Sequence, residues 1–120
     1  MNSEPSEEHV VAIKMLVAAN SVNVSQPISM GTYNQVHMQI WIKSGTTSLG
    51  SLVVKAQSSP DLDNWTDVSG LSVTLTKAPN SGVDATTGTS NLLSAPFLRL
   101  HFTGAAKDTL VGASVRLFNA

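Results

Sequence analysis

Residues 35–43 read QVHMQIWIK. Two sets of side chains alternate through this stretch: Val36, Met38, Ile40 and Ile42 fall on one side, and His37, Gln39, Trp41 and Lys43 on the other. Successive side chains leave a pleated strand on opposite faces, so this spacing describes a strand with one apolar face. A helix would group residues three and four apart and would mix the two sets. The stretch reads as a β-strand.

The same pattern returns along the chain. Residues 51–57 place Leu52, Val54 and Ala56 on one face, and residues 71–76 alternate Leu71, Val73 and Leu75 with Ser72, Thr74 and Thr76. Residues 97–102 set Leu98, Leu100 and Phe102 against Phe97, Arg99 and His101. In residues 110–118, Val111, Ala113, Val115 and Leu117 oppose Gly112, Ser114, Arg116 and Phe118. Residues 10–19 are apolar around Lys14 and read as an opening strand, with a short helix as the alternative. Turn signals stand at 30–32, 43–45, 69–70, 80–82 and 103–104. Short half-buried strands at such intervals predict an all-β fold, a single antiparallel β-sandwich that is jelly-roll-like. Residues 1–9 are expected to form a flexible N-terminal arm and residues 10–120 the sandwich. Residues 77–94 are expected to form a long loop, because only small polar patterning marks them.

Composition narrows the function classes. The chain has 120 residues, of which 42% are apolar, enough for one domain with one core. Charged residues make up 12%, about half the share usual in globular domains. The exterior must then be largely Ser, Thr, Asn and Gln, as suits a protein packed against other copies. A net charge of −1 gives no electrostatic footprint for nucleic acid. Cysteine is absent, which excludes disulfides and thiolate metal sites. No apolar run is long enough to span a bilayer. The opening MNSEPSEEHVV lacks the basic start and apolar run of a secretory signal, so synthesis in a cytoplasm is expected. The sequons at Asn23 and Asn64 then read as chance.

No catalytic constellation is present. His9, His37 and His101 occupy separate segments without an i+2 or i+4 partner, and only His37 and His101 could converge, across strands. There is no G-x-S-x-G elbow and no Gly-rich phosphate loop. The acidic stretch SSPDLDNW, residues 58–65, offers Asp61 and Asp63 in the first and third positions of an EF-hand. Trp65 and Thr66 then fall where a ligand and the obligatory glycine belong, so no calcium loop is expected. Asp and Asn hold backbone N–H groups in tight turns, and Pro60 presets φ. Asp61, Asn64 and Trp65 therefore read as a structural turn. No enzyme, cofactor or metal is expected. Two tryptophans also leave a sugar-stacking surface open as an alternative.

The run Gln57-Ser58-Ser59-Pro60-Asp61-Leu62-Asp63-Asn64-Trp65 resembles the Q-G-S-x-D-G-x-N-W hairpin of small β-sandwich structural proteins of tailed phages. Ser59, Asp61, Asn64 and Trp65 match it, while Ser58 and Leu62 stand in place of its glycines. The upstream Ile28-Ser29-Met30-Gly31-Thr32-Tyr33 is similar to the strand-and-turn before the first long strand of that family. A single Asp-box hairpin of sialidases is also similar, but the tryptophan here comes one residue early. The phage resemblance implies a virion component of the capsid decoration (cement) or fibre type, and a capsid decoration protein made in the host cytoplasm is the expectation. Its implied partners are its own copies, as a homotrimer, and the major capsid protein; a tail or baseplate component and a carbohydrate-binding or adhesin module are the alternatives. His37, Gln39, Trp41, Arg116 and Phe118, all on faces opposite the expected core, are the candidate interface.

Overall fold

The computed structural model describes residues 6–44, 51–76, 80–86, 95–104 and 107–119. Its elements are β1 (Ser6–Val17), β2 (Val22–Val24), β3 (Ile28–Ser29), β4 (Gln35–Ser44), β5 (Leu52–Ser59), β6 (Thr66–Leu75), β7 (Asn80–Thr86), β8 (Phe97–Thr103) and β9 (Thr109–Phe118). One sheet runs β1-β9-β4-β7 and the other β2-β8-β5-β6, with β3 continuing the β2 flank of β8. All pairings are antiparallel. They are also nested: β1 pairs with β9, β2 and β3 with β8, β4 with β7, and β5 with β6, alternately in the first sheet and the second. A folded ribbon wrapped around one core has this jelly-roll-like order.

The core is the apolar half of each alternating strand. Val36, Met38, Ile40 and Ile42 of β4 lie beside Val111, Ala113, Val115 and Leu117 of β9. From the other sheet come Leu52, Val54 and Ala56, Leu71, Val73 and Leu75, and Leu98, Leu100 and Phe102. All of these are buried, as their spacing predicts. Within each sheet small residues lie beside large ones, Ala113 beside Ile40 and Ala56 beside Leu100. Val17, Ile28 and Met30 complete the core.

Irregularities keep this geometry. The β2–β3 flank breaks at Ser25-Gln26-Pro27, where proline has no N–H to give the ladder. Ser25 repairs the gap: its N–H donates to the Leu100 carbonyl at 2.9 Å, and its Oγ accepts from the Leu100 N–H at 2.9 Å. Ser25 is buried, so losing its hydroxyl would strand a backbone donor. Gly104 closes the β1–β2 corner, where a Cβ would stand 2.4 Å from the Ala18 carbonyl oxygen. Its N–H donates to Ser21 O at 2.7 Å.

Several expected boundaries move. Ser6 to His9 belong to β1, with Ser6 opposite Phe118 and His9 opposite Val115, so the arm expected over 1–9 does not extend through them. The reason is the length of β9, whose free flank offers backbone partners beyond residue 10. Residues 1–5 lie outside the described residues. The loop expected over 77–94 contains β7, which pairs with β4 from His37↔Thr86 to Ile42↔Asn80. Backbone pairing with a long central strand overrides weak propensity there, and 77–79 and 87–94 lie outside the described residues. The turn expected at 80–82 is accordingly strand. Ser69-Gly70 is no hairpin turn either. It is a bulge within β6: Lys55 faces Ser72 and Gln57 faces Asp67, so β6 carries extra residues around Gly70 at φ +83°.

Phe102 is the largest fully buried side chain and belongs to a central strand. Phe102→Ala is expected to cost about 3–5 kcal/mol of stability, read by urea denaturation of the purified chain.

Candidate functional site

Between β5 and β6 the chain turns through Ser59-Pro60-Asp61-Leu62-Asp63-Asn64-Trp65. Ser59 is buried beneath the turn, and its Oγ accepts from the N–H groups of Asp61 (3.2 Å) and Leu62 (2.9 Å). The same hydroxyl donates to Asp61 Oδ1 at 3.1 Å. Asp61 Oδ1 in turn accepts from the N–H groups of Asp63 (2.9 Å) and Asn64 (2.8 Å), and Oδ2 from Asn64 Nδ2 (2.7 Å). Leu62 takes a left-handed φ of 69°, a region that residues other than glycine seldom adopt. Trp65 Nε1 donates to Leu62 O at 3.2 Å, which ties the ring to the tip of the turn. Every donor around Asp61 favours its anion, the Asn64 and Asp63 N–H groups most, and its pKa falls to about 2. A carboxylate so occupied holds backbone rather than a cation.

Behind this hairpin, the outer face of the second sheet carries a chain of polar contacts across three strands. The Arg99 guanidinium lies over the Trp65 ring, 4.3 Å from its centroid. Arg99 Nε donates to Gln57 Oε1 (2.9 Å), Gln57 Nε2 donates to Asp67 Oδ1 (2.9 Å), and Lys55 Nζ reaches Asp67 Oδ2 at 3.4 Å. The Gln57 bond, then Lys55, hold the Asp67 carboxyl below the usual carboxylate range. This assembly was not singled out from the sequence, because Gln57, Asp67 and Arg99 meet only through the β6-β5-β8 pairing.

The outer face of the first sheet holds the residues expected to form an interface. His37 stands opposite Arg116, Gln35 opposite Phe118, Gln39 opposite Ser114 and Trp41 opposite Gly112. His37, Gln39, Trp41, Arg116 and Phe118 thus share one face of the central pair β4–β9. Gln39 and Arg116 are exposed, and His37, Trp41 and Phe118 are half-buried. The Arg116 guanidinium lies 5.4 Å from the Phe118 ring centroid. The Trp41 indole packs on Gly112, where an added Cβ would come within 2.3 Å of Nε1. A glycine inside a strand is the sequence signal for such a close approach.

The fold also keeps the remaining titratable residues apart. His37 belongs to β4 and His101 to β8, on the outward faces of different sheets, so they do not converge. Asp61 faces into its turn while Asp67 faces Gln57 and Lys55, so these carboxylates form no acid–base pair. Among the described residues no three His, Asp or Glu side chains group as metal ligands.

No protein-family model matches the chain, and no curated protein sequence is similar to it. Its fold, however, is shared with solved structures. The SPBc2 prophage-derived protein YomS superposes with a TM-score of 0.59 at 13% identity, over 97% of this chain and 96% of that one. The PBSX exported protein XepA gives 0.69 at 9% identity, over 95% of this chain and 37% of the longer XepA chain. A protein of the disulfide-linked pili of Bacillus endospore appendages gives 0.52 at 13% identity, over 99% and 93%. At these identities the likeness is one of fold.

Two outcomes check the site. Gly112→Ala is expected to destabilise by about 1–3 kcal/mol, because Trp41 must lift off its seat. In a Trp41→Ala background the same change should be neutral or stabilising, since alanine suits a strand better than glycine, and thermal melts of the double-mutant cycle read the difference. The second concerns acid. Asp61 keeps its charge to lower pH in the folded than in the unfolded chain, so its stabilisation is complete well above 3.8 and disappears as pH falls through about 2. Wild-type melting temperature should therefore drop across that window, whereas Asp61→Asn should start lower at neutral pH and change less.

Proposed function

We propose that this chain is a non-enzymatic structural protein of a phage-type virion that works by surface binding, and specifically a capsid decoration protein. The observation that carries the reading is the outer face of β4–β9. An indole seated on a glycine, followed along the same face by Gln39, then His37 opposite Arg116, with Arg116 over Phe118, is an aromatic and polar strip. Trp and Arg are the side chains enriched among binding hot spots, and polar surroundings suit an interface rim. Positions on paired strands lose little freedom on binding.

Two further facts support it. The fold is shared along its whole length with a prophage-derived protein, YomS. Only 12% of the residues are charged, so burying this exterior against protein desolvates few ions. On a shell of repeated subunits, each copy would bind across a joint between neighbouring capsid proteins, and many copies would turn modest contacts into a stable coat. A homotrimer places three such faces on a local threefold position.

Light scattering after size exclusion, followed by co-sedimentation with shells of the same phage's major capsid protein, tests this. A trimer that sediments with shells is expected, and Trp41→Ala should lose shell binding while retaining a cooperative melt. A wild-type protein that stays in the supernatant, whatever its mass, would overturn the decoration role.

A further inference from the structure

The opposite sheet carries a second surface that the decoration reading does not use. Arg99 is held in place twice, by the Trp65 ring beneath it and by the Gln57 carbonyl on Nε. Among the described residues nothing accepts a hydrogen bond from its Nη groups. A guanidinium fixed in this way presents its terminal pair of N–H donors as a preformed fork, the geometry that receives a carboxylate. Lys55, one strand away on β5, spends one N–H on a long 3.4 Å contact with Asp67 and is 40% exposed. Strands β5, β6 and β8 together carry these cations against a single carboxylate, Asp67.

The backbone chooses between kinds of ligand. β5 is paired on both flanks, with β8 and β6, and β8 is paired with β5 and with β2 and β3. A peptide that binds as an added strand needs a free edge; β6 ends the sheet, but the strands that carry Arg99 and Lys55 have none. A polymer recognised by side chains alone suits it better. Planar amide, carboxylate and guanidinium groups beside an indole are the set that hydrogen-bonds hydroxyls and carboxylates of sugar rings. The geometry points to the outer face of β6-β5-β8, centred on Arg99 and Lys55, as a binding site for a glycan bearing carboxylate groups. The surface lies on the sheet opposite Trp41, so its test is independent of shell binding.

Isothermal titration of the full chain with polygalacturonate, its methyl ester and polyglutamate tests this. Polygalacturonate should bind, and esterification, which removes the carboxylate, should weaken binding about tenfold or more. Arg99→Lys keeps the charge but loses the fork, and should weaken it by about the same factor; Lys55→Gln, outside the Trp65 stack, should weaken it less. Trp41→Ala should bind as wild type does. Equal binding of the ester, or binding unchanged by both the Arg99 and Lys55 variants, would overturn the site. Polyglutamate binding as tightly as polygalacturonate would replace the glycan by charge alone, and no binding to any of the polymers would end the proposal.

Discussion

The pairing of β1 with β9 is the constraint from which the rest follows. Ser6 lies opposite Phe118, so the two ends of the described chain are paired with one another. Each further pair nests inside this one, down to β5 and β6. Such closures sacrifice chain entropy over long separations, and only a shared core can offset that loss. The alternating apolar faces of β4, β5, β6, β8 and β9 provide that core, and they do so only if every strand keeps its register, since a slip by one residue would turn each inner face outward.

Register is defended where the sequence departs from regularity. Ser25 spans the Pro27 interruption by bonding both backbone groups of Leu100, so β8 stays satisfied although its partner strand is broken. The Gly70 bulge in β6 takes up extra residues and lets Leu71, Val73 and Leu75 point inward after Asp67 has pointed outward. The short, proline-interrupted β2–β3 edge also offers little ladder to a passing strand on that side. The Ser59–Asp61 turn does comparable work at the far end by occupying backbone donors of the hairpin.

The two outer faces differ in chemistry because different neighbours were brought to them. On the first sheet, glycine at 112 makes room for an indole, and an aromatic and polar platform results. On the second, Trp65 leaves the hairpin and meets Arg99, which the β5 ladder places beside Gln57. One face suits association with protein, the other presents donors to an acidic ligand. A thin sandwich exposes both at once, which suits a module that is seated on one side and displayed on the other.

Much of this was legible from the sequence. Period-two alternation in QVHMQIWIK and its counterparts determined the strands, their buried faces and the all-β class, because the pleat leaves a side chain only two directions. It also placed His37, Gln39, Trp41, Arg116 and Phe118 outward, and the Asp-Asn chemistry of the turn was local enough to read directly. Tertiary structure decided what depends on partners distant in the chain. It made a strand of Asn80–Thr86, whose small polar residues carry no pattern of their own, by pairing it with β4. It set His37 and His101 on different sheets, gave Gly112 its purpose, and joined Trp65, Arg99, Gln57 and Asp67 into one assembly. Spacing along a strand is fixed by covalent geometry, whereas neighbours across a sheet are fixed only when the whole ribbon folds.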